Sequence, residues 1–198
     1  MDHSDHVNLL RGGIPEPGGV WADLGSGTGA FTLALAELIG PNGQIHSVDR
    51  RQDALQRQEQ AMRAGFPKVT VHYRVSDFAR RIDLPPLDGV VMANSLHFQP
   101  EKDPVLRLVC SYLRPGGRLI VVEYETDRGN PWVPHPFSYR TWKKLARRNG
   151  LVDTTLLMTR PSRFLGQIYS AVSYVPQLPR ALQGQAVPSR LDEGEVKA

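Results

Sequence analysis

Short apolar runs and helix-period patterns take turns along this chain from residue 20 to about residue 150. Val20–Leu24 (VWADL) is almost continuously apolar and ends at glycine, which suits a strand buried on both faces. Ala30–Ile39 (AFTLALAELI) is apolar nearly all round, as expected of a helix packed on a sheet, and Gly40-Pro41-Asn42-Gly43 stops it. Gln44–Val48 predicts a second strand with Asp49 at its end. Gln52–Ala64 predicts a polar helix with Leu55 and Met62 on one face, closed by Gly65 and Pro67. Val69–Val75 alternates as a third strand, followed by Asp77. Pro85-Pro86 breaks the chain before an apolar fourth strand, Gly89–Ala93.

Pro104 opens the next helix in its first turn, with a stripe of Leu106, Val109, Cys110 and Leu113. Pro115-Gly116-Gly117 turns into a fifth strand, Arg118–Glu123. A helix around Phe137–Asn149 follows. Thr154–Thr159 and Gln167–Tyr174 then leave room only for a loop with Pro161 and Gly166, which predicts an antiparallel hairpin. Alternating strands and helices imply a doubly wound, mostly parallel α/β sheet. One domain is expected over residues 1–175. The segment 176–198 holds three prolines, mixed charge and no aromatic residue, the composition of a disordered tail.

Composition changes this picture little. The 198 residues are 40% hydrophobic and 22% charged, with a net charge of +4 and a pI near 9.4, which is mildly basic and no nucleic-acid signature. No apolar run reaches the roughly 20 residues of a membrane span. The stretch MDHSDHVNLLRGG is acidic and polar, unlike a signal peptide, and a single cysteine excludes an internal disulfide framework. These features point to a cytoplasmic protein. Cys110, on the apolar stripe of its helix, is expected to be a buried thiol and not a nucleophile.

The chemistry concentrates between the first strand and its helix, in Asp23-Leu24-Gly25-Ser26-Gly27-Thr28-Gly29-Ala30. Glycines there permit positive φ and let a ligand touch backbone, and the following helix aims free N–H groups at the loop. Asp49, twenty residues past Gly29, stands where a carboxylate accepts ribose hydroxyls. Gly25-x-Gly27-x-x-Ala30 alone also matches the nicotinamide and flavin fingerprint.

At several further points the chain resembles the class I S-adenosylmethionine-dependent methyltransferases of the small-molecule type. Asp23-x-Gly25-x-Gly27-x-Gly29 is similar to their first motif, Asp77-Phe78 to the pair that meets adenine, and Leu113-Arg114-Pro115-Gly116-Gly117 to the turn before strand five. The resemblance implies a seven-stranded Rossmann-like sheet in the order 3-2-1-4-5-7-6 with strand 7 antiparallel. It implies S-adenosylmethionine as cofactor and S-adenosylhomocysteine as product. Asp23, Gly25, Ser26, Gly27, Gly29, Asp49, Arg50, Asp77, Phe78 and Asn94 are the implied cofactor residues, with Asp23 on the ammonium side.

On the acceptor side, Asn94-Ser95-Leu96-His97-Phe98 departs from the Asn-Pro-Pro-aromatic pattern of base methylation, which favours a small-molecule acceptor over nucleic acid. His97 is the candidate general base, the alternative being a histidine bonded to backbone or lining the pocket. Glu123 and Glu125 share one strand face and offer either an acceptor contact or an exposed strand end. His135, Tyr139 and Arg140 are candidates to close over the acceptor. Arg140, Lys143, Lys144, Arg147 and Arg148 form a basic stripe, either a solvated helix face or a patch for an acidic partner. Asp2-His3 and Asp5-His6 lack the fixed geometry of a metal site, so no metal is expected. An RNA or protein acceptor, a non-catalytic cofactor-binding module and a nicotinamide enzyme are the competing readings. Few insertions surround the core, so the acceptor site is expected to be shallow or completed in a homodimer.

Overall fold

The computed structural model describes residues 1–177, so all but the first two residues of the expected tail lie outside the described part. Seven strands form one sheet in the order β3-β2-β1-β4-β5-β7-β6. In chain order they are β1 Gly19–Leu24, β2 Gly43–Asp49, β3 Thr70–Val75, β4 Leu87–Ala93, β5 Leu113–Tyr124, β6 Val152–Ser162 and β7 Gly166–Tyr174. Strands β1 to β5 pair in parallel, while β7 runs antiparallel to both β5 and β6. The helices are α1 His3–Arg11, α2 Ala30–Ile39, α3 Gln52–Gly65, α4 Lys102–Tyr112 and α5 Tyr139–Arg148. None of them is long and apolar enough to cross a membrane.

Strand alternation divides the core into two layers. Ala22, Leu24, Val90, Met92 and Val121 face α4 and α5, packing on Leu106, Val109, Phe137 and Trp142. Trp21, Ile45, Val91, Ile120 and Val122 face the other way, onto α1, α2 and Met62 of α3. The apolar central strands thus bury both faces, as parallel strands between helix layers must. This is why their runs were continuous in sequence.

The N-terminal stretch, read in sequence only as acidic and polar, carries a buried apolar face. It folds as α1, with Val7, Leu9 and Leu10 buried. A reciprocal cap starts the helix: Asp5 N–H donates to the Asp2 carboxylate at 2.9 Å, and Asp2 N–H donates to Asp5 at 3.1 Å. Asp5 also pairs with Arg160 of β6 at 2.7 Å, and His3 meets Glu37 of α2 at 2.7 Å. His6 packs edge-on against Phe31 at 4.8 Å. The four residues considered for loose chelation are therefore occupied with capping and packing.

Several boundaries also differ, most by one or two residues and most widely in β5 and β6. Strand β5 begins at Leu113, not Arg118: Leu113 pairs with Leu87, and a register shift absorbs the Pro-Gly-Gly segment before Arg118 meets Gly89. Gly116 N–H and Gly117 C=O bond to Val175, which stitches that segment to the end of β7. Strand β6 extends through Pro161, tolerated because β6 is the sheet edge and owes no ladder bond on its outer side. Gly166, at φ +77°, begins β7. Cys110 is only half-buried, because the stripe of α4 turns through Val105, Leu106, Val109 and Tyr112; what burial it has pushes its thiol up to about 11.

Helix α1 owes its place to side chains, since most of its surface is polar. Leu10→Ala, at a position with no solvent exposure, is expected to cost about 2–5 kcal/mol of stability. Urea titration should show a lower midpoint with an unchanged slope; a loss below about 1 kcal/mol would mean that α1 is not part of the cooperative core.

Candidate active site

The loop after β1 stands at the carboxyl ends of the parallel strands β1 to β4, where an open sheet of this kind has its ligand crevice, and forms the floor there. Gly25, Gly27 and Gly29 sit at φ +80°, +55° and +91°. The N–H groups of Gly25 and Ser26 both donate to Val48 C=O, at 2.8 and 3.1 Å, drawing the loop over the end of β2. A Cβ on Gly25 would come within 2.5 Å of Ser95 Cβ, and one on Gly29 within 2.3 Å of Gln58 Cγ. A Cβ on Gly27 would meet nothing within 4 Å. Two glycines thus permit packing beneath the loop, and the middle one faces open space.

Around this floor stand the residues expected there. Asp49 accepts the Gly27 N–H at 2.8 Å through one oxygen and the Arg51 N–H at 2.9 Å through the other. Arg50 lies 3.7 Å from Asp77, whose carboxylate accepts the Ala79 N–H at 2.9 Å. Phe78 is buried, its ring edge 3.1 Å from where a Gly25 Cβ would be. Across the crevice, Asn94 takes φ +51° and donates its N–H to Val122 C=O at 2.8 Å. Its Oδ1 is buried without a hydrogen-bond partner. Ser95 Oγ donates to Leu24 C=O at 2.8 Å, tying β1 to the loop after β4.

Two expected residues face inward. Ser26 Oγ lies 2.8 Å from Ser47 Oγ, which in turn donates to Gln58 at 2.8 Å. Asp23 is 1% exposed and accepts from Thr32 Oγ1 at 2.6 Å, while Gln58 Nε2 donates to that same hydroxyl. Burial lifts the Asp23 carboxyl to about 7; the Thr32 bond opposes the rise and the nearby Asp49 charge adds to it. Asp23 therefore braces the loop from below. Thr32, Ser47 and Gln58 went unremarked in the sequence, although Gln58 falls on the same helical stripe as Leu55 and Met62.

On the far side of Asn94, His97 stands on a single 3-10 turn, Leu96–Phe98, at 2% exposure. Its Nδ1 is 2.8 Å from Glu123 Oε2, and its backbone N–H donates to Glu123 Oε1 at 3.2 Å. An Nδ1–H given to the carboxylate leaves the lone pair on Nε2. Glu123 has no solvent exposure, which corrects the alternative of an exposed strand end: one carboxylate grips both the ring and the backbone of His97. Glu125 accepts the Tyr139 N–H at 2.9 Å instead.

The three candidates for closing over an acceptor lie before and at the start of α5. Tyr139 packs 5.9 Å from Tyr169 and carries the Lys143 ammonium 4.9 Å above its ring. Arg140 is exposed on the α5 stripe, and His135 meets His97 only through backbone, at 3.1 Å. The basic stripe is exposed, with Arg148 bound to Asp103 at 2.7 Å.

A sheet of this order, with a glycine floor and acidic strand ends at its crevice, defines the methyltransferase class of Rossmann-like folds. A family model described as "Methyltransferase domain" matches residues 16–169. The chain is 30% identical over 160 residues to an arsenite methyltransferase of Aquipseudomonas alcaligenes, covering 70% of this chain and 46% of that one. It is 33% identical over 104 residues to a ubiquinone/menaquinone biosynthesis C-methyltransferase of Pasteurella multocida, covering 52% of this chain and 38% of that one. It thus spans less than half the length of these two relatives. In three dimensions it resembles the Burkholderia thailandensis 1,6-didemethyltoxoflavin-N1-methyltransferase with a TM-score of 0.69 at 17% identity, covering 88% of this chain and 78% of that one. This chain belongs to the class I S-adenosylmethionine-dependent methyltransferase family.

The site fits the cofactor of that family. The space above Gly27 is a cradle that a side chain would fill, and Asn94 Oδ1 is a buried acceptor awaiting a donor. The Asp23 carboxyl yields a separate test. Its folded value lies above the usual 3.8, so the unfolded chain ionises first and stability falls as pH rises from about 4 through about 7. The slope is at most about 1.4 kcal/mol per pH unit. Asp23→Asn is always neutral and can still accept the Thr32 proton, so it should gain on the natural protein across that range in denaturant titrations. Parallel stability curves for the two proteins would contradict the shift.

Proposed function

We propose that this protein transfers a methyl group from S-adenosylmethionine to a small-molecule acceptor, with His97 as the base. The observation that carries the reading is the shared loop after β4. Asn94, with its unpartnered Oδ1 at the cofactor crevice, and His97, locked on Glu123, are three residues apart on it.

The roles follow from position. Asp49 at the end of β2 binds the ribose hydroxyls, exchanging its present bond to Gly27 N–H for them. Asp77 and the Phe78 N–H hold the adenine edge, with Arg50 restraining Asp77 from outside. Gly25, Ser26, Gly27 and Gly29 supply backbone to the amino-acid end at the start of α2, where helix N–H groups favour its carboxylate. Asn94 Oδ1 accepts from that end, and Asp23 supports the loop while contributing negative charge on the ammonium side. When bound, the cofactor supplies a methyl group already attached to a sulfonium leaving group.

His97 Nε2 takes the proton from the acceptor heteroatom as the bond to the methyl carbon forms and the carbon–sulfur bond breaks. Glu123 fixes the ring so that Nε2 carries the lone pair, and stabilises the imidazolium that results. Proximity and alignment supply much of the rate in such a displacement. A small-molecule acceptor is favoured over a polymer because the basic stripe on α5 is partly neutralised by Asp103 and lacks interleaved aromatic rings for stacking.

Titration calorimetry with S-adenosylhomocysteine tests the cofactor assignment: Asp49→Ala should weaken binding at least about 10-fold while the protein stays folded, and near-unchanged affinity would remove the ribose role. His97→Ala should lower kcat by roughly 10²–10⁴-fold with cofactor affinity unaltered. Turnover as in the natural protein would remove His97 as base. Incubating the protein with methyl-labelled donor and cell extract should label the small-molecule fraction. Label that disappears with nuclease or protease treatment would overturn the acceptor class, and no label at all would favour a non-catalytic module.

A further inference from the structure

Among the described residues, the Phe, Trp and Tyr side chains that are about half exposed or more are Phe98, Trp132 and Phe164, at 51%, 71% and 49% exposure. They come from three separate places: the 3-10 turn after β4, the loop between β5 and α5, and the β6–β7 turn. Yet they form one chain of rings that starts at His97. Phe98 is 4.3 Å from the His97 ring, and Tyr124, at the tip of β5, is 6.2 Å from it. Phe164 stands edge-on to Tyr124 at 5.8 Å, and Trp132 stands edge-on to Phe164 at 6.3 Å.

Large aromatic surface is ordinarily buried, and a contiguous exposed apolar patch marks a binding site. Here the patch is also held in shape. Asn130 Oδ1 accepts the N–H groups of both Trp132 and Val133 at 2.9 Å, and Val133 is buried, so the turn beneath Trp132 is anchored. Each edge-to-face pair covers one face of one ring only. Tyr124 and Phe164 also wall an adjoining cleft of about 560 Å³ with Asp5 and Arg160, whose lining does not include His97, Phe98 or Trp132.

We infer that Phe98, Tyr124, Trp132 and Phe164 form the acceptor subsite, and that the acceptor is a planar aromatic molecule carrying an ionisable hydroxyl. This rests on the methyltransferase reading given above. Flat rings stack on free aromatic faces with a gain that a saturated ring of equal size does not obtain. The hydroxyl supplies an acidic proton to His97 at the inner end of the ring chain. As it reacts, the new bond to the methyl carbon forms while the carbon–sulfur bond breaks. The hydroxyl proton passes to His97 Nε2, and the sulfonium becomes a neutral thioether, with no oxidant or reductant involved.

The test uses the full chain saturated with S-adenosylhomocysteine and two probes of similar size, planar 2-naphthol and saturated 2-decalol, followed by calorimetry. Binding of 2-naphthol at least about 10-fold tighter than 2-decalol is expected. The double variant Trp132→Ala, Phe164→Ala should lose about 10-fold or more in 2-naphthol affinity, with S-adenosylhomocysteine affinity unchanged. Trp132→Phe, which keeps a ring, should retain most of it. Equal binding of the two probes, or no effect of the double variant, overturns the inference while leaving the methyltransferase reading intact. A double variant that instead dissolves a dimer, with 2-naphthol binding unaltered, overturns it in favour of a contact between copies of this chain. Failure of the natural protein to bind S-adenosylhomocysteine removes the underlying reading, and this inference falls with it.

Discussion

A turn that receives a ligand on backbone must be rigid while leaving room above it, and the structure is organised around that requirement. The loop from β1 into α2 is drawn down by two N–H bonds to Val48 C=O, backed by Ser95 through Leu24, and underlain by Thr32, Ser47 and Gln58. Each restraint comes from a different element, so the loop's shape summarises the packing of β2, α3 and β4 against β1. Its glycines divide the labour. Gly25 and Gly29 admit neighbours from below, and Gly27 keeps the upper side clear. Loops built this way need little reorganisation on binding, which keeps the ordering cost of association small.

A second rigid connection lies beside that loop. Glu123, at the end of the central strand β5, has both carboxylate oxygens committed to His97. A buried carboxylate is costly unless it is paired and hydrogen-bonded, so this contact fixes the turn after β4 as firmly as it fixes the imidazole. Neighbouring strand ends thus present the cofactor crevice and the histidine on one scaffold, with Asn94 and Ser95 joining them.

The sheet was legible because its central strands are buried on both sides and so read as apolar runs. The hairpin was legible because no helix fits between two β-type runs so close together. Helix α1 was not: its buried apolar side chains are few, Val7, Leu9, Leu10 and the following Ile14, and its cap uses an aspartate, Asp5, where a glutamate or glutamine is the familiar signal. The extra length of β5 and β6 was hidden by Pro115, Gly116, Gly117 and Pro161, which ordinarily end strands. At the site, glycines and acids betrayed themselves by spacing. The inward turn of Asp23 and Ser26, the Glu123–His97 pair and the convergence of Phe98, Trp132 and Phe164 depend on contacts between residues far apart in sequence, which no local pattern records.

The environment of Asp23 has one more consequence. A carboxyl poised near neutrality is shared between its two forms under ordinary conditions, so the underside of the loop holds a fractional and adjustable charge. A positive group settling above it would draw that acid toward the anion and release a proton to the surroundings. Uptake of a cationic ligand and the acidity of the medium are then thermodynamically linked through a group that never touches solvent.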